Sequence, residues 1–328
     1  MLHQMKIRTF GALGVSLLLV ASLASGPVLA KTKSKPTASS FPAALSQKQA
    51  VQVVLQYYKE NNQANSTLSV ALQDKDEEGI SAKMDDANYH LLGLEGTTSI
   101  PAFTALRQNI SVYLTNATKA PAEFLALVKF PAVTGANPVA AYADYLVFRK
   151  DTGKAPWRVL YDIGVTSTTS VPATTSVKGR TSNYAFAAIV NYWKNGRGKV
   201  APGPYTSGLY TSTQQGIATD ASHGITDTLA FTVDSSPVTS AAVRGGTLEF
   251  GGIDSVTTET ATTGSCVSSS PTDFAEYLAI FPSGVKYGQT VDHRLVQVVI
   301  FVPSNRDQDI HLLGYYSQLL GGSGTACP

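Results

Sequence analysis

The chain has 328 residues, 43% hydrophobic and only 15% charged, a balance that suits folded globular structure and excludes a disordered chain. Its formal charge of +2 is supplied by Lys6 and Arg8; without them 23 basic residues balance 23 acidic ones. A chain so close to neutral carries no electrostatic footprint for nucleic acid and no basic patch for anionic lipid.

Residues 1–30 read as a Sec-type signal peptide. Lys6 and Arg8 form its charged start, and residues 12–24 form an apolar run too short for a comfortable membrane span. Val28-Leu29-Ala30 offers small residues for cleavage before Lys31. An uncleaved N-terminal anchor is the alternative. No Cys follows the cleavage point, so the expected address is secreted or extracytoplasmic and not lipid-anchored. No later stretch is apolar enough for a span, so none is expected after signal removal.

Residues 31–45 read as a flexible mature N-terminus. Ser46 then caps a helix, with Gln49 completing a capping box. Val51, Val54, Leu55, Tyr58, Leu68 and Leu72 share one helical face, which predicts a helix to about Leu72 with a break near Asn61-Asn62. Residues 73–78 read as acidic and solvated, residues 85–89 as a short helix or turn, and Ser99-Ile100-Pro101 as the start of strand character. Strands are expected at 110–114, 124–130, 141–150 and 157–163. Asp151-Thr152-Gly153-Lys154 joins the last two as a hairpin. Alternation places Trp157, Val159 and Tyr161 on one face of the fourth.

Residues 166–180, rich in Thr and Ser, read as a linker. Thr181-Ser182 caps a second helix whose apolar face is Phe186, Ile189, Val190 and Trp193, ending at Gly196. Pro202-Gly203-Pro204 enforces a loop, and residues 212–221 form a short helix. Strands are expected at 229–233, 247–258, 294–302 and 310–316. Gly245-Gly246 and Gly251-Gly252 read as turns, 266–271 as a polar loop, and 273–281 as helix or strand.

Residues 50–61 and 185–196 echo each other, with an apolar start, the aromatic pairs Tyr57-Tyr58 and Tyr192-Trp193, and Lys59 and Lys194 at matching steps. The closing hairpins echo as well: residues 146–148 and 157–161 match 300–302 and 311–315. The order predicts an α+β fold of two tandem units, 46–165 and 181–328. Each is a leading helix packed on a curved, mainly antiparallel sheet, in the cone-shaped Nuclear Transport Factor 2-like manner or a cystatin-like one.

The opening Leu45-Ser46-Gln47-Lys48-Gln49-Ala50 with Tyr57, Tyr58, Asn61, Asn62 and Ala64, then Asp86-Ala87-Asn88-Tyr89 and Ala155-Pro156-Trp157-Arg158-Val159, form one ordered set. Asn191-Tyr192-Trp193, Ala201-Pro202-Gly203-Pro204 and Leu295-Val296-Gln297-Val298 continue it. Together they resemble a domain-of-unknown-function family of actinobacterial secreted proteins and lipoproteins. The resemblance implies export and a surface location, and no chemistry. The chain departs from members that carry a lipid-modified Cys.

Cys266 and Cys327, the only two cysteines, are expected to form one disulfide. Neither lies in a Cys-x-x-Cys pair, and no metal or cofactor is expected. No Gly-x-Ser-x-Gly, His-Glu-x-x-His, Walker or Gly-x-Gly-x-x-Gly pattern occurs, and Ser283 to Lys286 reads as a turn. Carboxylates stand near His223, His293 and His311; Asp292 and His293, adjacent on a strand, are expected on opposite faces. His311 is the first catalytic candidate, because its strand belongs to a sheet that would line a cone. Tyr58, Trp157, Tyr161, Trp193, His311 and Tyr315 are the candidates for a ligand pocket; the same aromatics read as core. Asn65, Asn109 and Asn116 stand in sequons expected to be unmodified. The expectation is a secreted, non-catalytic protein that binds an envelope or extracellular partner. The alternative is small-molecule binding or hydrolysis in one unit's cavity.

Overall fold

Ser46 starts the fold as read: its Oγ accepts from Gln49 N at 3.3 Å while Gln49 Oε1 accepts from Ser46 N at 2.9 Å. The structure, a computed structural model, describes residues 45–114, 121–132, 140–166, 184–270, 273 and 275–327. The expected signal peptide, residues 31–44, residues 167–180 of the linker, the Thr181-Ser182 cap and Asn116 lie outside the described residues. Among the described residues, no helix is long and apolar enough to cross a membrane.

Helix α1 runs Gln47–Asn65 and α2 runs Val70–Asp76. One helix to Leu72 was expected; the chain instead turns at Leu68, whose φ of 48° no α-helix accommodates. Residues 73–78 are solvated only in part: Asp74 and Lys75 are exposed, but Gln73 is 0% and Glu77 1% exposed. Residues 85–89 belong to a full helix, α3, Gly79–Leu94. Ser99-Ile100-Pro101 begins no strand. That segment is pinned to α1, with Ile100 N donating to Asn65 O at 2.8 Å and the Asn62 side chain bonding both backbone groups of Phe103.

The first sheet is an antiparallel meander of β1 (Ile110–Leu114), β2 (Ala122–Phe130), β3 (Tyr142–Lys150) and β4 (Arg158–Thr166). Its last hairpin closes through the expected turn, where Ala155 N donates to Thr152 O at 3.1 Å. The even alternation expected in β4 fails at a bulge. Tyr161 pairs with Val147 and Val159 with Phe148, leaving Leu160 as the extra residue. Val159 therefore packs toward α1, while Leu160 and Tyr161 both turn to the opposite face.

Helix α4 (Tyr184–Asn195) ends at Gly196, whose φ is 65° and whose N–H bonds Tyr192 O at 2.7 Å. After it come α5 (Leu209–Ser222), β5 (Ile225–Val233), β6 (Thr239–Val243) and β7 (Gly246–Ala261). Then follow β8 (Val267–Ser268), α6 (Ala275–Ile280), β9 (Lys286–Pro303) and β10 (His311–Ala326). The second sheet has the order β10-β9-β7-β5, all antiparallel, with β6 beside β7 and β8 beside β9. Sequence alternation missed β6 and β8, and it understated β10, whose Gly- and Ser-rich end pairs with β9 to Ala326. Cys266 and Cys327 are disulfide-bonded, tying that end to the loop before β8.

The elements stack as helix, sheet, sheet, helix. Val54, Tyr57 and Tyr58 of α1 pack on Phe124, Leu146 and Phe148. Phe186, Ile189 and Trp193 of α4 pack on Ile253, Val296 and Val298. The other two sheet faces meet: Leu125, Tyr145, Tyr161 and Ile163 lie against Leu248, Phe250, Leu295 and Val299. The two helix-on-sheet halves thus share a third core.

Gly251-Gly252 is no turn but the middle of β7. A Cβ on Gly251 would lie 2.5 Å from Phe186 Cε1, and one on Gly252 2.5 Å from Ile80 Cδ1. The glycines let a helix press on each face of the strand. Gly251→Ala is expected to cost about 1–3 kcal/mol, seen as a lower denaturant midpoint at unchanged slope.

Candidate functional site

On α1 the positions that face the sheet change from apolar to amide after Tyr57. Tyr57, Asn61 and Asn65 follow one another at four-residue steps, and all are buried. They meet Gln73 and Glu77 from α2, Ser81, Asp85 and Tyr89 from α3, and Asp162 from β4, each at most 8% exposed. The Tyr57 hydroxyl donates to Glu77 Oε1 at 2.6 Å and lies 3.4 Å from Asp162 Oδ2. Asn61 Nδ2 donates to the Tyr57 oxygen at 3.3 Å, and Asn65 Nδ2 to Asn61 Oδ1 at 2.6 Å. The Tyr89 hydroxyl lies 2.8 Å from Asn65 Oδ1 and 2.9 Å from Gln73 Oε1, while Gln73 Nε2 donates to Asp85 Oδ2 at 3.1 Å. Beside this chain, Tyr58 donates to Asp144 Oδ2 at 3.2 Å.

Electrostatically the layer is acidic. Burial first, then the charges of Asp85 and Asp162, push the Glu77 carboxyl well above its ordinary range against the bonds from Tyr57 and Ser81. Glu77 Oε2 is buried without a hydrogen-bond partner among the described residues. Next in sequence, burial and a hydrogen bond to Glu60 push Asp76 up to about 7, opposed by Lys75 and Arg158. Burial and Asp151 raise Glu78, opposed by Arg149 and Arg158. This arrangement fixes helices to a sheet, with Glu77, Asp85 and Asp162 buried and Asp76 and Glu78 half-exposed at its margin.

The pocket candidates are dispersed over the layers. Tyr58 and Trp157 lie in the α1 layer, where Trp157 is edge-on to Phe124 at 5.0 Å. Tyr161 is in the core between the sheets, its hydroxyl bonded to Pro237 O at 2.6 Å. Trp193 and Tyr315 do come together, ring centroids 6.2 Å apart, with Trp193 Nε1 bonded to Tyr205 O at 3.1 Å. His311 is exposed at the start of β10, 6.0 Å from the Phe301 ring. Asp292 accepts from Thr257 N at 3.2 Å and lies 3.5 Å from Arg294, while His293 is exposed on the opposite face.

Asp220, Asp227 and Glu259 bring carboxylate oxygens within 4.8 Å of one another, hard ligands of the kind a cation takes. All are half-buried. Burial and the Asp220 carboxyl, which is hydrogen-bonded to it, raise Asp227 to about 6.

A different surface is open. The inter-sheet core takes only Leu248 and Phe250 from β7, and Leu295 and Val299 from β9. On the same face β7 continues to Thr258 and Thr260, flanked across unbroken register by Thr226 and Thr228 of β5. Ser323 and Thr325 of β10 extend this face beyond Gln289. Thr226, Thr228, Thr260, Ser323 and Thr325 are exposed, and Gln289 Nε2 donates to Thr260 Oγ1 at 3.1 Å. The result is a hydroxyl-bearing sheet face beyond the sandwich, with exposed His293 and half-buried Asp254 at its inner margin, joined at one corner by the disulfide.

Fold and site together define an α+β protein of two helix-covered antiparallel sheets, with a buried polar cluster at one end of the first helix layer. No family model, curated protein or solved structure matches this chain.

Proposed function

We propose that this is an extracytoplasmic, non-catalytic binding protein, built of two tandem units of the Nuclear Transport Factor 2-like or cystatin-like kind. It engages a cell-envelope partner through the open hydroxyl-bearing face of the second sheet. The duplication is supported by matching order: each half runs helices first, then an antiparallel sheet whose main path is β1-β2-β3-β4 in the first and β5-β7-β9-β10 in the six-stranded second. The disulfide suits an oxidising compartment, as export in the manner of the secreted actinobacterial family would require.

The observation that carries the binding reading is the division of labour between inside and outside. The largest buried cluster of acidic and amide groups lies beneath α1, whereas a hydroxyl-bearing sheet face of the second half stands open. Main-chain pairing and the disulfide hold its hydroxyls in place before a partner arrives, which lowers the ordering cost of association. The alternative, small-molecule binding or hydrolysis in the first half, is favoured by one observation, the polar lining under α1.

Fluorescently labelled protein mixed with isolated envelope fractions tests the reading. Wild type should bind saturably, and Thr228→Lys with Thr258→Lys should weaken binding roughly tenfold or more, by placing two solvated ammonium groups in the face. His311→Ala should bind as wild type. Full binding by the lysine variant would overturn the assigned face, and no saturable binding by wild type would overturn partner binding itself.

A further inference from the structure

We infer that the junction of α2 and α3 is a proton-operated latch. A proton held on buried Glu77 seats the end of α2 against α1 and β4, and losing it releases the junction.

The backbone sets the geometry. Glu77 forms a parallel bridge with Val159, and Glu78 N donates to Val159 O at 2.9 Å, so the junction lies along the free edge of β4. Gly79 follows at a φ of 61°, close enough to Leu160 that a Cβ would meet its Cδ1 at 2.6 Å. Docking there forces three consecutive acidic side chains, Asp76, Glu77 and Glu78, into contact with neighbouring elements.

Each finds a different neighbour. Asp76 lies near Glu60 of α1, and after burial that carboxyl is the main influence raising its affinity for a proton. Glu78 is 3.7 Å from Arg149. Glu77 is 1% exposed, and one oxygen is held by Tyr57 while the other has no partner among the described residues. The groups facing the junction are Tyr57 and Glu60 from α1, Asp74 and Lys75 from α2, and Ser81, Asp85 and Asp86 from α3. From the sheet side come Glu123 of β2, Arg149 of β3, Asp151 after it, and Arg158 and Asp162 of β4. The cations act on Asp76 and Glu78, whereas the charges acting on Glu77 are those of Asp85 and Asp162. An ionised Glu77 would be a buried anion between two carboxylates, so it is retained as the neutral acid.

The sign of the response follows. Folded-state affinities for protons are raised, so the seated form is fully stable below the ordinary carboxyl range. It loses stability as pH rises through about 7 for Asp76 and through the raised range of Glu77, well above the ordinary carboxyl value. This is opposite to a protein held by carboxylate ion pairs.

Hydrogen exchange on the full chain, corrected for intrinsic rates, tests the latch at about pH 5 and about pH 8. In wild type, residues 70–80 should lose roughly tenfold or more protection at the higher pH while residues 294–302 keep theirs. Glu77→Gln preserves an acceptor for Tyr57 without a charge, and should retain protection at both pH values. Asp76→Asn, at a half-exposed position, should reduce the loss. Equal wild-type protection at both pH values overturns the latch, as does an unchanged loss in both variants. Restoration of wild-type protection at the higher pH by calcium alone would also overturn it, by showing that a cation and not a proton neutralises the junction.

Discussion

Phe250→Ala lowers the stability of the whole molecule by about 3–5 kcal/mol, in a single transition. Phe250 comes from the second sheet, is fully buried, and meets rings of the first: Tyr145 at 5.8 Å and Tyr161 at 6.4 Å. Truncation leaves a cavity walled by both sheets, which neither half can collapse alone. The chain has two tryptophans, one in each helix layer, and they make the test sharp. Trp157→Phe leaves Trp193 to report the second half, and Trp193→Phe leaves Trp157 to report the first. Fluorescence-detected denaturant curves of the two should coincide, with and without Phe250→Ala. Separate midpoints, or a Phe250→Ala effect confined to one tryptophan, would show that the core between the sheets does not couple the halves.

Opening the disulfide is expected to cost about 4 kcal/mol, from the loop that its 61-residue separation closes in the unfolded chain. For a chain of this size that lowers the melting temperature by about 10 °C. The local reason is the composition of the end of β10. Residues 321–326 are Gly-, Ser- and Thr-rich, mostly exposed, and poor strand formers, so they depend on pairing with β9 and on the covalent clamp. Calorimetry of Cys266→Ser with Cys327→Ser, against wild type with and without reductant, measures the effect. The doubly substituted chain should match the reduced wild type. A melting temperature equal to that of the oxidised protein would mean that β9 pairing alone orders the tail.

Where neighbouring residues settle structure, the sequence was readable. The Ser46 and Gln49 capping box, the alternation of β1, the apolar runs of β2 and β3 and the run at 294–302 are all local. The interior of the first half was not. Tyr57, Asn61 and Asn65 carry a trace of it, because polar side chains in phase with an apolar helix face ask for buried partners. The partners were hidden, since Gln73 and Glu77 stand in a stretch that composition assigns to solvent. Their burial is imposed from outside by α1, α3 and the edge of β4.

What the sequence by itself determined is the α+β class, the principal helices and strands of each half and the pairing available to its two cysteines, because periodicity, caps and spacing act over a few residues or by elimination. Tertiary structure alone decided that the two sheets turn their backs to each other and that Tyr58, Tyr161 and Trp193 fall into three different cores. It also decided that Glu77 lies between two carboxylates. The physical reason is that burial is a property of whichever surface arrives opposite, and one bulge at Leu160 is enough to send consecutive residues of a strand to the same side.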